Sequence, residues 1–240
     1  MMQNKKNLFD SYTLYARVFP ALISALPLFI LWYFISALGE LSGLLSYILS
    51  LKFLGTVTLG VVFLYFYAQV VRTASKFLEK RYFLAARGFP TMYLMLYGDD
   101  TFSRNYKDAY RARAAKAFGI TLPTEEDEKE DLEETKRRLH EITKHIILQL
   151  GSGHLVLKHN VWYGFFRNLV GGALFASPFC ILNIYLGVVI LNNPTLWATS
   201  IVLLVCFAFL LLWRKPILVQ HGEAYAKQLI AEFMENNKGE

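Results

Sequence analysis

The alternation of apolar and polar stretches predicts how often the chain crosses a membrane. Three stretches of 19 residues or more contain no charged residue: Val18 to Gly39 (22 residues), Phe53 to Val71 (19 residues) and Leu169 to Trp213 (45 residues). About 20 helical residues cross a hydrocarbon core, so the first two stretches each predict one span and the third predicts two. The third stretch breaks at 192–194, where two asparagines precede a proline. We therefore expect four spans in two hairpins.

A polar segment of 97 residues separates the two predicted hairpins. We expect it to form a helical domain inserted between them, so the fold class is a mainly all-α integral membrane protein. The predicted organisation is a tail with the first hairpin over 1–71 (spans about 18–39 and 53–71), a cytosolic domain over 72–168, the second hairpin over 169–213 (spans about 169–191 and 195–213) and a tail over 214–240.

Composition and charge support a membrane protein and predict its orientation. Hydrophobic residues make up 55% of the chain and its mean hydropathy is +0.33, while charged residues make up 18%, below the roughly 25% of soluble domains. Of the 25 Lys and Arg residues, 24 fall in the two tails and the central segment. The positive-inside rule places those parts, and both termini, in the cytosol.

Helix signals divide the central segment. The region from Ser103 to Phe118 is amphipathic and Gly119 ends it. Thr124 is a good N-cap for a helix from Glu125 towards Leu150. The apolar run 89–97 fits either a buried strand or a helix begun by its proline. The predicted apolar stripe of the first helix is Phe102, Tyr106, Ala109, Tyr110, Arg113 and Ala117, and that of the second is Leu132, Leu139, Ile142, Ile146 and Leu150.

Basic residues are concentrated in the first half of this segment and acidic residues in the second half. The two halves can pair with each other, or the basic half can receive an anionic ligand or a protein trigger. The residues expected to form that surface are Arg81, Arg87, Arg111 and Arg113. No motif supports binding to nucleic acid.

Polar residues gather where the third predicted span begins. Unpaired polar groups are costly there because the dielectric constant is falling, so they must find partners. They serve either as structural anchors or as a latch that couples the cytosolic domain to the membrane helices. The residues of this predicted coupling site are Asn160, Tyr163, Arg167 and Asn168.

Just beyond them, small residues recur four apart, as Gly172 with Ala176 and Ala173 with Ser177. This spacing lets two helices approach closely, either within the bundle or between subunits.

The pattern of polar side chains predicts no catalytic residue, no metal site and no cofactor. The histidine pairs are five residues apart, whereas ligands on one helix face are four apart. Tyr97-Gly98-Asp99-Asp100 matches a polymerase tetrapeptide, but no second aspartate motif accompanies it, which favours a plain turn. An alternative is an enzyme acting on a lipid or envelope intermediate through four residues. These are Asp99, Asp100, His154 and His159.

Three motifs carry a resemblance to a known family. They are Gly88-Phe89-Pro90-Thr91, Leu122-Pro123-Thr124-Glu125-Glu126 and the stretch from Asn160 through Tyr163-Gly164-Phe165 to Arg167-Asn168-Leu169. Over about residues 70 to 175 the chain resembles a family of uncharacterised bacterial inner-membrane proteins with a cytosolic domain between membrane hairpins. The resemblance implies the bacterial inner membrane as the location, and it implies no activity. In general plan the chain also resembles membrane effectors of anti-phage systems.

Together these observations favour a non-enzymatic membrane protein in contact with lipid. A cytosolic sensing domain would alter a transmembrane bundle, in a homo-oligomer, so as to gate or disrupt the membrane. The alternatives are the membrane-bound enzyme and a scaffold that holds another membrane protein.

Overall fold

The computed structural model describes residues 11–37, 53–85, 87–150 and 154–235. All regular elements in these ranges are helices, which confirms the all-α prediction for the described part of the chain. Helix α1 begins as Ser11–Thr13, passes through a π-helical turn at Leu14–Val18 and continues as Phe19–Ala37. The others are α2 (Phe53–Ala85), α3 (Pro90–Tyr93), α4 (Arg104–Phe118), α5 (Glu125–Glu130), α6 (Leu132–Leu150), α7 (His154–Tyr185, extended by a π-helical turn at Leu186–Ile190), α8 (Pro194–Leu212) and α9 (Arg214–Glu235).

Three of the described helices are long and apolar enough to cross a membrane. These stretches are Leu14–Phe34 of α1, Leu155–Ile190 of α7 and Pro194–Leu212 of α8. Their large apolar side chains are widely exposed, as expected for surfaces that lipid covers. The predicted span from Phe53 to Val71 lies on α2 and is not among these three.

The predicted break at residues 192–194 is confirmed. The Asn193 side chain accepts a hydrogen bond from the Leu196 backbone N–H at 3.1 Å and so caps α8. Pro194 occupies the first turn, where its missing N–H costs nothing. Asn192 takes the left-handed conformation, with φ of 46°.

The chain divides into two compact units. The first contains the described residues up to Glu79 together with Gly164–Ile217, and the second contains Lys80–Tyr163 and the described residues from Leu218. Helices α2, α7 and α9 each have residues in both units.

Small residues allow close helix packing in the first unit. Gly172 of α7 lies against Ser24 of α1, and a Cβ built on this glycine would be 2.6 Å from the serine Cβ. Ala173 and Ala176 are buried in a cluster with Phe207 of α8. Ser177, the fourth residue of the predicted packing stripe, donates its hydroxyl to the Ala173 carbonyl of the same helix at 2.8 Å. Three of the four residues of the predicted stripe therefore have packing partners on other helices of the same chain.

In the second unit, one predicted helix is two. Helix α5 ends at Glu130, and Asp131 leaves helical geometry with φ of −139° and ψ of 89°. The Asp131 carboxylate accepts a hydrogen bond from the Glu134 backbone N–H at 2.9 Å and so begins α6. Leu132 falls in this first turn and is 43% exposed, which corrects its assignment to the apolar face. The remaining members of that face are buried: Leu139, Ile142, Ile146 and Leu150.

Helix α4 has the predicted ends and a different buried face. The Ser103 hydroxyl accepts from the Tyr106 backbone N–H, and Gly119 closes the helix at φ of 67°. The buried residues are Lys107, Tyr110, Arg111 and Ala114, whereas Ala109 and Ala117 of the predicted stripe are exposed. The long basic side chains take the buried positions because their charged ends reach backbone carbonyls inside the unit.

The apolar run 89–97 follows the helical alternative. It forms α3 and the turns after it, and residues 90–96 are all buried. Together with faces of α4, α6 and α9 it forms the core of the second unit.

Candidate functional site

A buried ion pair joins α2 to α7 in the first unit. Arg167 Nη1 lies 3.3 Å and 3.4 Å from the two carboxylate oxygens of Glu79. The two side chains are 11% and 10% exposed, so the pair sits in a region of low dielectric constant. Sequence reasoning selected Arg167 and missed its partner. The available signal was that Glu79 is the sole acidic residue between Glu40 and Asp99.

Asn168 satisfies a backbone carbonyl of α1. Pro20 has no N–H, so the carbonyl four residues earlier, at Ala16, loses its usual helical donor. The Asn168 Nδ2 group donates to that Ala16 carbonyl at 2.5 Å, next to the π-helical turn Leu14–Val18. Asn168 is 1% exposed. Its side-chain amide thus takes the place of the missing Pro20 donor.

The same stretch of α7 approaches its neighbours closely through glycines. A Cβ built on Gly164 would lie 2.9 Å from the Ala16 Cβ, and one on Gly171 would lie 2.8 Å from the Ser75 Cα. Real Cβ atoms do not come this near to other atoms, so these positions admit little but glycine without a shift of the helices. Residues 164–171 of α7 are therefore held against α1 on one side and α2 on the other.

Further basic groups surround the ion pair. Lys76 lies one turn and Arg72 two turns before Glu79 on α2, and Arg17 follows Ala16 on α1. Burial lowers the pKa of Arg72, and repulsion from the Arg17 guanidinium lowers it further. Lys76 is within electrostatic range of Arg72, Arg167 and Arg17. This part of the first unit is strongly positive.

The other two residues of the predicted coupling site belong to the second unit. Tyr163 is buried with Phe83 and Leu218, and its ring stacks on Tyr225 with centroids 6.2 Å apart. Asn160 is half-buried on α7, one turn earlier. The predicted set of four is therefore divided: Arg167 and Asn168 are in the first unit, and Asn160 and Tyr163 are in the second.

Two of the four arginines predicted to form a ligand or partner surface instead bind backbone carbonyls within the second unit. Arg81 and Arg87 are exposed. Arg111 is buried, with Nη2 donating to the Met95 carbonyl at 2.9 Å and Nε donating to the Pro123 carbonyl at 3.0 Å. Arg113 is half-buried and donates to the Met234 carbonyl at 2.8 Å. Their guanidinium groups hold the second unit together because backbone carbonyls there need donors.

The Tyr97–Asp100 turn is held by a carboxylate that sequence reasoning did not select. Glu128 of α5 accepts hydrogen bonds from the backbone N–H groups of Tyr97 at 2.8 Å and Gly98 at 3.0 Å. Its carboxylate also lies 3.9 Å from the Arg111 guanidinium, which stacks 4.0 Å from the centre of the Tyr97 ring. Glu128 thus fixes the turn and balances a buried arginine.

The residues of the enzymatic alternative do not form one centre in the described structure. The Asp99 carboxylate accepts from the Thr101 backbone N–H at 2.9 Å, and Asp100 is exposed. His159 is half-buried on α7, where it is close enough to His221 of α9 to lower the pKa of that histidine, after burial as the main cause. The side chain of His154 lies outside the described residues. Across the described ranges, no three His, Cys, Asp or Glu side chains are placed to hold a metal ion.

Comparison with known proteins adds no relative to this description. No family model, no curated protein and no solved structure matches the chain.

Proposed function

We propose that this protein is a non-enzymatic, multi-pass protein of the bacterial inner membrane that gates or disrupts that membrane. In this proposal four transmembrane helices form two hairpins, both termini are cytosolic, and the domain over 72–168 senses a ligand or protein partner. A homo-oligomer supplies the membrane pathway, because four spans in one chain are few for a transporter built from paired repeats.

The buried pair of Glu79 and Arg167 is the observation that carries the proposal. It joins α2 to α7, and both helices have residues in each of the two units. A buried ion pair adds little net stability over apolar side chains of similar size, because desolvation offsets the attraction. Such a pair is useful where it selects one helix arrangement over another, and a gate needs two discrete arrangements.

The fourth span is supported by the exposed face of α2. Its described part presents Val61, Val62, Phe63 and Phe66 to the outside, each more than half exposed. A row of large apolar side chains of this kind requires a nonaqueous surrounding or a partner. Lipid fits because this part of α2 belongs to the first unit, which also contains most of the three apolar stretches.

The test is controlled expression in a bacterium, with a membrane-impermeant dye and a potential-sensitive dye read together. The native chain is compared with Arg167→Ala and with Glu79→Met/Arg167→Met, which removes the ion pair and keeps the volume filled. Arg138→Ala is the matched control, since it removes an exposed arginine from an ion pair on α6.

Native expression and the Arg138→Ala control should depolarise the membrane or admit dye. Both changes at Arg167 should alter that response at equal membrane abundance. A response identical in all four chains would overturn the role of the ion pair. The same cells are also challenged with phage, the trigger that the anti-phage resemblance suggests. Membranes that stay intact with every chain under both conditions would overturn the gating function.

A further inference from the structure

In the first unit, Arg72 and Lys76 are each within electrostatic range of Arg17 and Arg167. Arg17 comes from α1, Arg72 and Lys76 from α2, and Arg167 from α7. Contacts of the residues next to them in the sequence bring the three helices together here. Ala16, beside Arg17, accepts a hydrogen bond from Asn168, and Ser75, beside Lys76, lies against Gly171.

The cluster lacks enough negative charge of its own. Glu79 is the sole acidic residue among the described residues of the first unit, and Arg167 already pairs with it. The Nε of Arg17 is buried and has no hydrogen-bond acceptor within the described ranges, while its guanidinium lies 5.2 Å from the centre of the Tyr12 ring. Burial lowers the pKa of Arg72, and the positive charges of Arg17 and Arg167 lower it further.

Two members of the cluster also lie beside the start of long uncharged stretches. Arg17 falls in the first turn of the apolar stretch Leu14–Phe34, and Arg167 precedes the uncharged stretch that starts at Leu169. In a membrane protein these positions are at the depth of the lipid headgroups. Basic side chains that only anchored helices would repel one another less if they were farther apart. Here the close contacts between helices keep the four near one another.

We propose that this cluster is a binding site for the phosphate of an anionic phospholipid headgroup. The guanidinium of Arg17 can offer two parallel N–H donors to phosphate oxygens, and that of Arg72 can do so in place of its 3.5 Å hydrogen bond from Nη1 to the Gln69 side-chain oxygen. Lys76 adds a third positive charge at the exposed side. The site requires that the first unit lies in a membrane, and it does not require that the protein gates that membrane.

The test uses the purified full chain and has no permeability readout, so its failure is separate from failure of the proposed function. The temperature of half-unfolding and the lipid molecules retained in native mass spectrometry are measured with added phosphatidylglycerol, with phosphatidylcholine and with inorganic phosphate. The test variant is Arg17→Gln/Arg72→Gln. The control is Arg214→Gln/Lys215→Gln, which neutralises the two other basic residues described in the first unit.

Phosphatidylglycerol should stabilise the native chain and the control more than phosphatidylcholine does, and the test variant should retain several-fold fewer molecules of it. Arg17→Lys/Arg72→Lys preserves the charge and loses the paired donors, so intermediate retention is expected, and this variant serves if the glutamine variant fails to fold. Equal retention by the test variant and the native chain would overturn the site. If the test and control variants lose retained phosphatidylglycerol equally, the binding is general surface attraction and the proposed site is overturned. If inorganic phosphate alone reproduces the stabilisation, a lipid is excluded as the ligand.

Discussion

The Asn168 side-chain amide donates to the Ala16 carbonyl at 2.5 Å, across 152 residues of sequence. That carbonyl lacks its helical donor because Pro20 has no N–H. Replacing Asn168 with Ala should therefore lower the free energy of unfolding by about 1 to 3 kcal/mol, the usual effect of leaving a buried acceptor unsatisfied. Thermal or chemical unfolding in detergent measures the change.

The proline provides the control for this prediction. In the double variant Asn168→Ala/Pro20→Ala the amide at position 20 can bond the Ala16 carbonyl again, so part of the lost stability should return. An Asn168→Ala variant as stable as the native chain, or a double variant with no recovery, would show that the hydrogen bond does not act in this way.

The Glu79–Arg167 pair predicts a difference between removing one partner and removing both. Glu79→Gln leaves the Arg167 charge buried, and breaking such a pair typically costs about 3 to 5 kcal/mol. Glu79→Met/Arg167→Met removes both charges and should lie much closer to the native stability. The unfolding midpoints of the two variants decide the matter, and equal midpoints would contradict a buried pair.

Two glycines test the close approach of α7 to α2. Gly171→Ala places a Cβ 2.8 Å from the Ser75 Cα, so the helices must separate and the unfolding midpoint should fall. Gly60→Ala is the control, since no described atom lies within 4 Å of its added Cβ. That change should stabilise α2 by up to about 1 kcal/mol through helix propensity. Destabilisation of the same size in both variants would argue against specific contact at Gly171.

Glu128 predicts a large effect in the second unit. Glu128→Ala removes the acceptor of two backbone N–H groups and leaves Arg111 buried without its carboxylate, so a loss of about 3 kcal/mol is expected. Amide hydrogen exchange at Tyr97 and Gly98 should speed up. Glu133→Ala removes a carboxylate whose side chain is 83% exposed, and its effect should stay within about 0.5 kcal/mol. Slow exchange at both amides in Glu128→Ala would refute the capping role.

His140 predicts acid sensitivity. Burial, and then the nearby Lys144 charge, lowers the pKa of His140 below its ordinary value of 6.5. The unfolded chain therefore takes up the proton first, so this contribution to stability is present above about pH 6.5 and is lost as the pH falls below it. His140→Phe keeps a ring to stack on Phe89 and removes the titration. Unfolding midpoints are measured on both sides of that pH, and the midpoint of the native chain should fall more on acidification than that of His140→Phe. An equal fall in both chains would show that His140 contributes nothing.

Local signals in the sequence were sufficient where a structure depends on residues close together in the chain. The ends of α4 at Ser103 and Gly119 and the break before Pro194 follow from single caps and turn residues. The helix break at Asp131 was not predicted. Its side chain caps Glu134 three residues on, and the same pattern would have predicted the break between α5 and α6.

Long-range partners decided what local patterns could not. Arg111 appears in the sequence as a solvent-facing arginine on an amphipathic helix, and only the folded unit brings the carbonyls of Met95 and Pro123 to it. The same holds for the coupling residues. In the sequence, Arg167 is a charged residue at the start of an apolar stretch that needs a partner. Only the fold shows that this partner is Glu79, 88 residues away.

By itself, the sequence determined the helical class, three long apolar helices among the described residues and most helix ends, because hydrophobic run length and capping act over a few residues. The tertiary structure alone decided which polar groups meet: Asn168 with Ala16, Glu79 with Arg167 and Glu128 with the Tyr97 turn. The physical reason is that a buried polar group must find a partner, and helix packing determines which distant residue supplies it.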